Sequence, residues 1–241
     1  MYTWLEYENS KDSNIVASAL QHYFTTVARD DLHQCQGLHL FSDSCYGQNK
    51  NINVLSMLFA LHSQLYPQLN ITYFFPIRGH SFLPADRVFG RIEQDIQKQT
   101  TILLPEEYNN ILQKHGTVYR YGKDWQCYDF KEAAARFTAA QRSFKISEAR
   151  VLQISGDKLG FKPVFAGEFC QHSVLKRGKR WCQFKPAPPD VNCVKEAKRT
   201  DVLKLLGELG VPKAVQEFYE NNLASDGDKD IEQDLEDGED E

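Results

Sequence analysis

The spacing of apolar residues follows two alternating periods along the first hundred residues of the chain. Tyr2–Tyr7 alternates with a period of two and is rich in aromatic residues, which predicts a β-strand. From Asn14 the apolar residues recur three or four positions apart, which predicts an amphipathic helix with Ser13 as its N-cap. Further strands are predicted at 37–42 and 71–77, and further helices at 51–66 and from Pro84 onward. The order β-α-β-α-β-α predicts a layered α/β fold with parallel strands.

The helix that begins at Pro84 has one apolar face. The residues expected to be buried on it are Val88, Phe89, Ile92 and Ile96.

Shorter elements are predicted beyond residue 99. Helices are expected from Pro105, Asp129, Thr200 and Pro212, and β-hairpins across 151–165 and 173–184. The sequence therefore predicts three parts. They are a core at 1–100, a smaller α+β region at 101–223 packed on that core, and a disordered acidic tail at 224–241.

Charge is distributed unevenly along the chain. The formal net charge is −5, yet residues 226–241 alone contribute ten acidic residues and one lysine. The remaining residues carry a net charge of +4, which permits a polyanionic partner such as DNA. No apolar run approaches the roughly 20 residues of a membrane helix, and the N-terminus shows no secretory signal. We therefore expect an intracellular protein without a membrane partner, with the nucleus as one candidate compartment.

The chain contains six cysteines, and none forms a CxxC pair. This usage favours reduced thiols over a disulfide framework. A zinc site would draw on Cys170, His172, Cys182 and Cys193, but their spacing matches no common zinc-finger pattern. Scattered core cysteines are the favoured interpretation.

An aspartate ends the apolar strand predicted at 37–42. In the segment SDSCYGQNKN, Asp43 follows the strand and precedes small and amide residues. A carboxylate in this position suits Mg²⁺ or Mn²⁺, which prefer hard oxygen donors and often bind one or two carboxylates plus substrate phosphates. The alternative is that Asp43 caps the next turn through its own side chain, and for this residue taken alone we favour that alternative.

A second acidic segment, GHSFLPADRVFGRIE, follows the next predicted strand. Asp86 and Glu93 lie seven residues apart on one predicted helix, so their side chains project from nearly the same face, about 10 Å apart. His80 follows the predicted strand, where its imidazole could lie beside Asp86 or Glu93. Functional groups gather outside the carboxyl ends of parallel strands, where Asp43, His80 and Asp86 all fall. The alternatives are a helix-dipole role for Asp86, a solvated position for Glu93 and a structural role for His80.

Both segments resemble motifs of an uncharacterised, transposon-derived domain family of the RNase H-like transposase and integrase superfamily. The opening MYTWLEYENSKDSNIVASALQHYF and the closing VKEAKRTDVLKLLGELGVPKAVQEFYENNL are also similar to that family, so the resemblance covers roughly residues 1–223. It implies phosphodiester hydrolysis or strand transfer by three carboxylates and two Mg²⁺ or Mn²⁺ ions. By position, it implies that Asp43 is the second carboxylate and that Asp86 or Glu93 is the third.

The sequence departs from that superfamily at its start. Tyr2–Tyr7 is followed at once by a helix, so it resembles the third of three antiparallel strands, and the first two strands are not found before it. The first catalytic aspartate is missing with them, which should largely remove metal binding. We therefore expect a partial RNase H-like core, inactive alone as a nuclease, with an open sheet edge. A nuclease or transposase is expected only if the gene product extends upstream of Met1.

A basic cluster in the predicted hairpin at 173–184 is the strongest nucleic-acid candidate. It consists of Lys176, Arg177, Lys179 and Arg180, with Trp181 beside them. Clustered cations contact phosphates, and an aromatic ring can stack on an unpaired base. An ordinary charged hairpin tip is at least as common. The alternatives to an enzyme are therefore a nucleic-acid-binding module that uses this hairpin and a protein-interaction module that uses the sheet edge and the acidic tail.

Overall fold

The computed structural model describes residues 1–77, 83–140, 142–188 and 194–223. The described residues form two compact units. The first contains residues 1–4 and 9–188, and the second contains residues 5–8 and 194–223. The first unit combines helices with two β-sheets, and the second is helical.

Several helices and strands of the first unit fall close to the positions that the hydrophobic pattern predicts. The strands are β1 (Tyr2–Thr3), β2 (Gly37–Phe41), β3 (Asn70–Phe74), β4 (Tyr119–Arg120), β5 (Val151–Ser155), β6 (Lys158–Lys162) and β7 (Cys170–Ser173). The helices are α1 (Ser13–His22), α2 (Arg29–Gln34), α3 (Ile52–Gln64), α4 (Pro84–Gln97), α5 (Pro105–Gln113) and α6 (Phe130–Phe137). A π-helical turn, Tyr23–Val27, lies between α1 and α2, and 3₁₀ turns lie at Ile146–Glu148 and Trp181–Gln183.

The main sheet of the first unit has five strands in the order β2-β3-β5-β6-β7. Strands β2 and β3 are parallel and are connected through α3, as the alternating pattern predicted. Strands β5, β6 and β7 extend the sheet by antiparallel pairing. A mixed α/β fold is therefore confirmed. Within the described ranges, the outer edge of β2 pairs with no other strand.

One face of the main sheet carries the hydrophobic core. The inward-facing strand residues are Leu38, Leu40, Ile71, Tyr73, Leu152, Ile154, Leu159 and Phe161. Helix α3 covers this core, and every residue from Val54 to His62 is buried. Helix α3 contacts α1, α6 and β5, so protein surrounds most of the helix. A helix in such a position needs apolar residues on most of its circumference, as α3 has. Asn51 caps its start by accepting hydrogen bonds from the backbone N–H groups of Asn53 and Val54.

Strand β1 does not join the main sheet. It pairs in parallel with β4, and the rings of Tyr2 and Tyr119 stack with their centroids 5.1 Å apart. Trp125 packs edge-on against Tyr2 and is buried in a second apolar cluster with Ile15. This aromatic cluster packs β1 against β4 and Trp125. The strand predicted at Tyr2–Tyr7 is therefore shorter than expected, and only two of the three strands in the predicted β-α-β-α-β-α order share one sheet.

Helix α4 begins at Pro84 as predicted, but it buries less of its apolar face. Ile92 is buried, whereas Phe89 is 58% exposed, and Val88 and Ile96 are half-buried. The reason is that α4 packs mainly against one neighbour, α5, which covers a single stripe of the helix.

The predicted hairpin at 151–165 is present as β5 and β6. Its turn consists of two residues, Gly156 and Asp157, because Ser155 pairs directly with Lys158. Gly156 has a φ of 63°, a conformation that glycine adopts without strain.

The predicted hairpin at 173–184 is absent. Strand β7 ends at Ser173 and pairs with β6, and the chain beyond it turns against the end of α6. The Ala139 backbone N–H donates to the Val174 carbonyl at 3.0 Å, and the Lys176 backbone N–H donates to the Phe137 carbonyl at 2.8 Å. These bonds to α6 replace the cross-strand bonds that a hairpin would need.

The second unit is helical where it is described. Helix α7 (Glu196–Glu208) begins earlier than predicted, and α8 (Lys213–Asn222) follows Pro212 as predicted. The Arg199 side chain donates from Nε to the Leu223 carbonyl at 2.8 Å, which ties the start of α7 to the end of α8. The tail at 224–241, predicted to be disordered, lies outside the described residues.

Candidate functional site

Asp43 lies in the loop after β2, and its carboxylate is exposed. Asp43 Oδ1 accepts hydrogen bonds from the Asn49 side-chain amide at 2.6 Å and from the Cys45 backbone N–H at 3.2 Å. The Cys45 carbonyl in turn accepts from the backbone N–H groups of Gln48, Asn49 and Lys50. The carboxylate therefore holds together the turn that precedes α3, which is the structural role expected of an aspartate in such a loop.

A buried phenol lies beside this loop. Tyr73 Oη and Ser42 Oγ are 2.8 Å apart. Burial raises the pKa of Tyr73 to about 12, against the opposing effect of the Ser42 hydrogen bond and with a smaller contribution from the negative charge of Asp43. Tyr73 is therefore protonated at neutral pH and acts as a hydrogen-bonding group rather than as a base.

Asp86 lies in the first turn of α4. Its carboxylate accepts a hydrogen bond from the Leu83 backbone N–H at 2.8 Å, which is a helix-capping contact. Glu93 is exposed farther along the same helix. His80 lies outside the described residues.

The described residues do not assemble the predicted carboxylates into one ligand set. In the ranges 1–77, 83–140, 142–188 and 194–223, no group of three or more His, Cys, Asp or Glu side chains could hold a metal ion. Asp43 and Asp86 are instead engaged by backbone and amide groups of their own loops. The Mg²⁺ or Mn²⁺ site and the catalytic roles of Asp43, Asp86, Glu93 and His80 stay predictions.

The cysteines are dispersed. Free thiols are found at Cys35, Cys45, Cys127, Cys170 and Cys182, and Cys193 lies outside the described residues. Of these thiols only Cys127 is buried, and burial raises its pKa. Cys170 and Cys182 are exposed because one lies on the end strand β7 and the other on a surface 3₁₀ turn. The interpretation as core cysteines was therefore wrong for most of them.

The basic cluster lies on a turn at the C-terminal end of α6. Gly178, with a φ of 82°, allows the reversal, and the Lys179 backbone N–H donates to the Lys176 carbonyl at 3.1 Å. Lys176 Nζ donates to the Ala135 carbonyl at 2.6 Å. This contact is favourable because the last carbonyls of a helix attract cations. We call residues 176–180 the basic turn.

The two arginines of the basic turn differ from its two lysines, whose side chains contact α6. Arg177 and Arg180 are exposed, and neither contacts an acidic side chain in the described part of the chain. Lys179 Nζ lies 5.2 Å from the centre of the Phe137 ring, which holds its stem against α6. The guanidinium groups are therefore presented to solvent on a turn that is fixed by backbone bonds.

Trp181 does not share this exposure. It is 1% exposed and stacks on Phe59, with ring centroids 4.9 Å apart and an angle of 6° between the planes. The carbonyls of Trp181 and Phe184 both accept from Gln64 Nε2, at 3.0 and 2.9 Å. The ring is part of the core, so the base-stacking role predicted for Trp181 does not fit its burial.

The basic turn belongs to a longer cationic segment. Residues 131–185, from α6 to the turn after β7, include twelve lysines and arginines and four acidic residues. The net charge of this segment is +8 in a chain whose total is −5. This local excess of positive charge favours contact with a polyanion.

Comparison with models of known protein families shows the family of this chain. A family model described as a domain of unknown function, DUF7869, matches residues 1–156. This chain belongs to the DUF7869 family. A search of curated proteins finds no match. A search of solved structures finds none either.

Two surface features of this DUF7869 protein were not predicted from its sequence. The first is an exposed aromatic ring, Phe41, on the outer face of the main sheet. The alternation of Gly37–Phe41 could have indicated the exposure of Phe41. Leu38 and Leu40 face inward, so Phe41 must lie on the opposite, outer face of the strand. The second is an open groove of about 600 Å³, lined mainly by polar side chains of α1, the π-helical turn and the segment 124–128. No described helix is long and apolar enough to cross a bilayer.

Proposed function

We propose that this DUF7869 protein is a nucleic-acid-binding module without a nuclease centre of its own, built on a transposon-derived, partial RNase H-like core. The observation that carries the proposal is the exposed basic turn within a segment of net charge +8. Phosphate contacts supply most of the affinity of non-specific nucleic-acid binding, and arginine suits them because its planar guanidinium binds phosphate through two parallel hydrogen bonds.

Rigid presentation of the arginines supports binding. The Lys176 backbone and side chain both donate hydrogen bonds to carbonyls of α6, which anchors the turn to the helix. A preformed turn loses less conformational entropy when it binds a phosphate backbone than a flexible loop would. Arg177 and Arg180 are therefore the residues on which we expect affinity to depend most.

Strands β2 and β3, with α3 between them, support a transposon-derived, RNase H-like ancestry. A parallel pair connected by a helix, with an open edge on β2, is what a partial RNase H-like core would retain. Asp43 has a loop-holding role in this protein, since its carboxylate accepts two hydrogen bonds from its own loop.

Fluorescence anisotropy with labelled DNA tests the binding part. Replacing Arg177 and Arg180 together by glutamine should weaken binding markedly at moderate salt. The matched control replaces Arg87 and Arg91, two exposed arginines of α4, which removes the same charge from another surface. Equal losses in the two double variants would show that only net charge matters and would contradict a binding site at the basic turn.

A nicking assay tests the absence of a nuclease centre. Supercoiled DNA incubated with the full chain and Mg²⁺ or Mn²⁺ should stay intact. Metal-dependent nicking that Asp43→Asn abolishes would refute this part of the proposal and restore the two-metal mechanism.

A further inference from the structure

The outer face of the main sheet is exposed at seven positions, whereas Thr72, Val151 and Gly160 on the same face are buried. The exposed positions are His39, Phe41, Asn70, Ser155, Lys158, Gln171 and Ser173. The register places these residues on the outer face: His39, Phe41, Asn70, Thr72, Phe74, Val151, Gln153, Ser155, Lys158, Gly160, Lys162, Gln171 and Ser173. Two of these are lysines, and none of these described strand positions is acidic. A sheet face with positive charge only is complementary to a polyanion.

An exposed aromatic pair lies at one corner of this face. The rings of Phe41 and Phe74 stack with centroids 4.8 Å apart and an angle of 11° between the planes. Phe41 is 56% exposed, so the ring surface that faces away from Phe74 is accessible. His39 packs edge-on against Phe74 from the neighbouring position of β2. A large exposed aromatic ring, already oriented by a partner, is the kind of surface on which an unpaired base stacks.

A second aromatic ring lies farther across the same face. Phe169 packs over Gly160, where an added Cβ would be 3.0 Å from Phe169 Cδ1. Lys162 Nζ lies 4.3 Å from the centre of the Phe169 ring. The glycine at position 160 thus makes room for an aromatic ring and a cation on the outer face of β6.

Hydrogen-bonding side chains lie between the two aromatic positions. One row across the sheet runs through His39, Thr72, Gln153, Gly160 and Gln171. Of the two side chains between β2 and β6, Gln153 is half-buried and Thr72 is buried, and Gln171 lies exposed beyond Gly160 on β7. Neighbouring strands are about 4.8 Å apart, so the distance from β2 to β6 is about 14 Å. Single-stranded nucleic acid is recognised in this way on other open sheets, where aromatic residues stack two or three bases.

We infer that the outer face of the main sheet binds single-stranded nucleic acid, with Phe41 stacking on one base and Phe169 and Lys162 contacting a second nucleotide. This inference rests on the proposed nucleic-acid function and adds a substrate preference to it. Duplex DNA keeps its bases stacked inside, so it can use the basic turn but not the aromatic pair. The preference for single strands should therefore depend on Phe41.

The test compares Phe41→Ala with two other variants of the full chain. Phe41→Tyr keeps a stacking ring, and Phe89→Ala removes an equally exposed phenylalanine from α4. Binding to a labelled oligothymidylate and to a blunt duplex is measured by anisotropy. We expect Phe41→Ala to weaken single-strand binding about 5- to 150-fold, the range found for one stacked base. Duplex binding should be unchanged, and the two other variants should resemble the parent chain.

The outcomes separate this inference from the proposed function. If the parent chain binds neither probe, both fail. If the Arg177 and Arg180 double variant loses binding but Phe41→Ala binds the single strand normally, the sheet-face inference alone is refuted. A third outcome is that Phe41→Ala converts a dimer to a monomer in sedimentation. In that case, β2 would pair with a second copy, and the inference would again be wrong.

Discussion

Replacing Trp181 by alanine distinguishes a core residue from a nucleic-acid contact. The side chain is 1% exposed, stacks on Phe59 at 4.9 Å and contacts Phe184 at 5.8 Å between ring centroids. Truncation of a buried tryptophan leaves a large cavity and typically costs about 3–5 kcal/mol. Because the ring also takes part in aromatic stacking, we expect a loss in the unfolding free energy of about 4 kcal/mol.

The Trp181→Phe variant should be much milder. Phenylalanine keeps a ring against Phe59, and Trp181 Nε1 is buried without a hydrogen-bond partner among the described residues, so no hydrogen bond is lost. We expect a loss below about 2 kcal/mol. Urea unfolding followed by far-ultraviolet circular dichroism measures both values without relying on tryptophan fluorescence. A loss below about 1 kcal/mol for Trp181→Ala, together with weaker single-strand binding, would refute the core assignment.

Three further changes test other parts of the structure. Tyr73→Phe should reduce the loss of stability that the parent chain shows as the pH rises from near 10, where the unfolded phenol ionises, to about 12, the raised pKa of Tyr73 in the fold. Part of the loss should remain, because burial also raises the pKa values of Tyr2, Tyr7 and Tyr66; identical pH profiles in urea unfolding would contradict the burial of the Tyr73 phenol. Asp43→Ala should cost about 1 kcal/mol because two hydrogen bonds of the loop are lost, and an unchanged urea midpoint would show that the carboxylate does not hold the turn. Gly160→Ala should cost about 1–3 kcal/mol because the new Cβ would be 3.0 Å from Phe169; a thermal midpoint equal to that of the parent chain would show that Phe169 moves freely.

The elements with strong local signals were predictable from the sequence. Helix α3 has a capping residue, Asn51, an apolar run and a terminating Pro67, and it forms within two residues of the predicted bounds. Strand β2 has a regular alternation and forms as expected. Local propensity and tertiary packing agree at these positions, so a pattern in the sequence is enough.

Positions decided by tertiary packing were not predictable. Tyr2 stacks on Tyr119, more than a hundred positions away in the chain. This long-range contact accompanies the pairing of β1 with β4 instead of with the main sheet. Trp181 follows four basic residues, so its neighbours indicate a surface position, although Phe59 and Phe184 enclose it. Phe89 has the spacing of a buried residue but is 58% exposed, since α4 packs mainly against α5.

Some features of the candidate site were also predictable from the sequence, and others were not. The cationic residues of the basic turn could be identified directly, because charge is a property of composition and needs no geometry. Whether Asp43 is a ligand or a loop-holding residue depends on hydrogen bonds from Asn49 and Cys45, which only coordinates can show. Predicting the aromatic pair Phe41 and Phe74 requires the register between β2 and β3. The sequence defines only which residues of each strand share a face, so it does not give this register.

The salt dependence of DNA affinity tests the central claim most directly. Each phosphate contact contributes about −0.9 to the slope of log affinity against log salt concentration for duplex DNA. Replacing Arg177 and Arg180 by glutamine should therefore make the slope shallower by about 1.8, whereas replacing Arg87 and Arg91 should leave it unchanged. Identical slopes for the parent chain and the Arg177 and Arg180 double variant would contradict the assignment of the basic turn as the nucleic-acid contact.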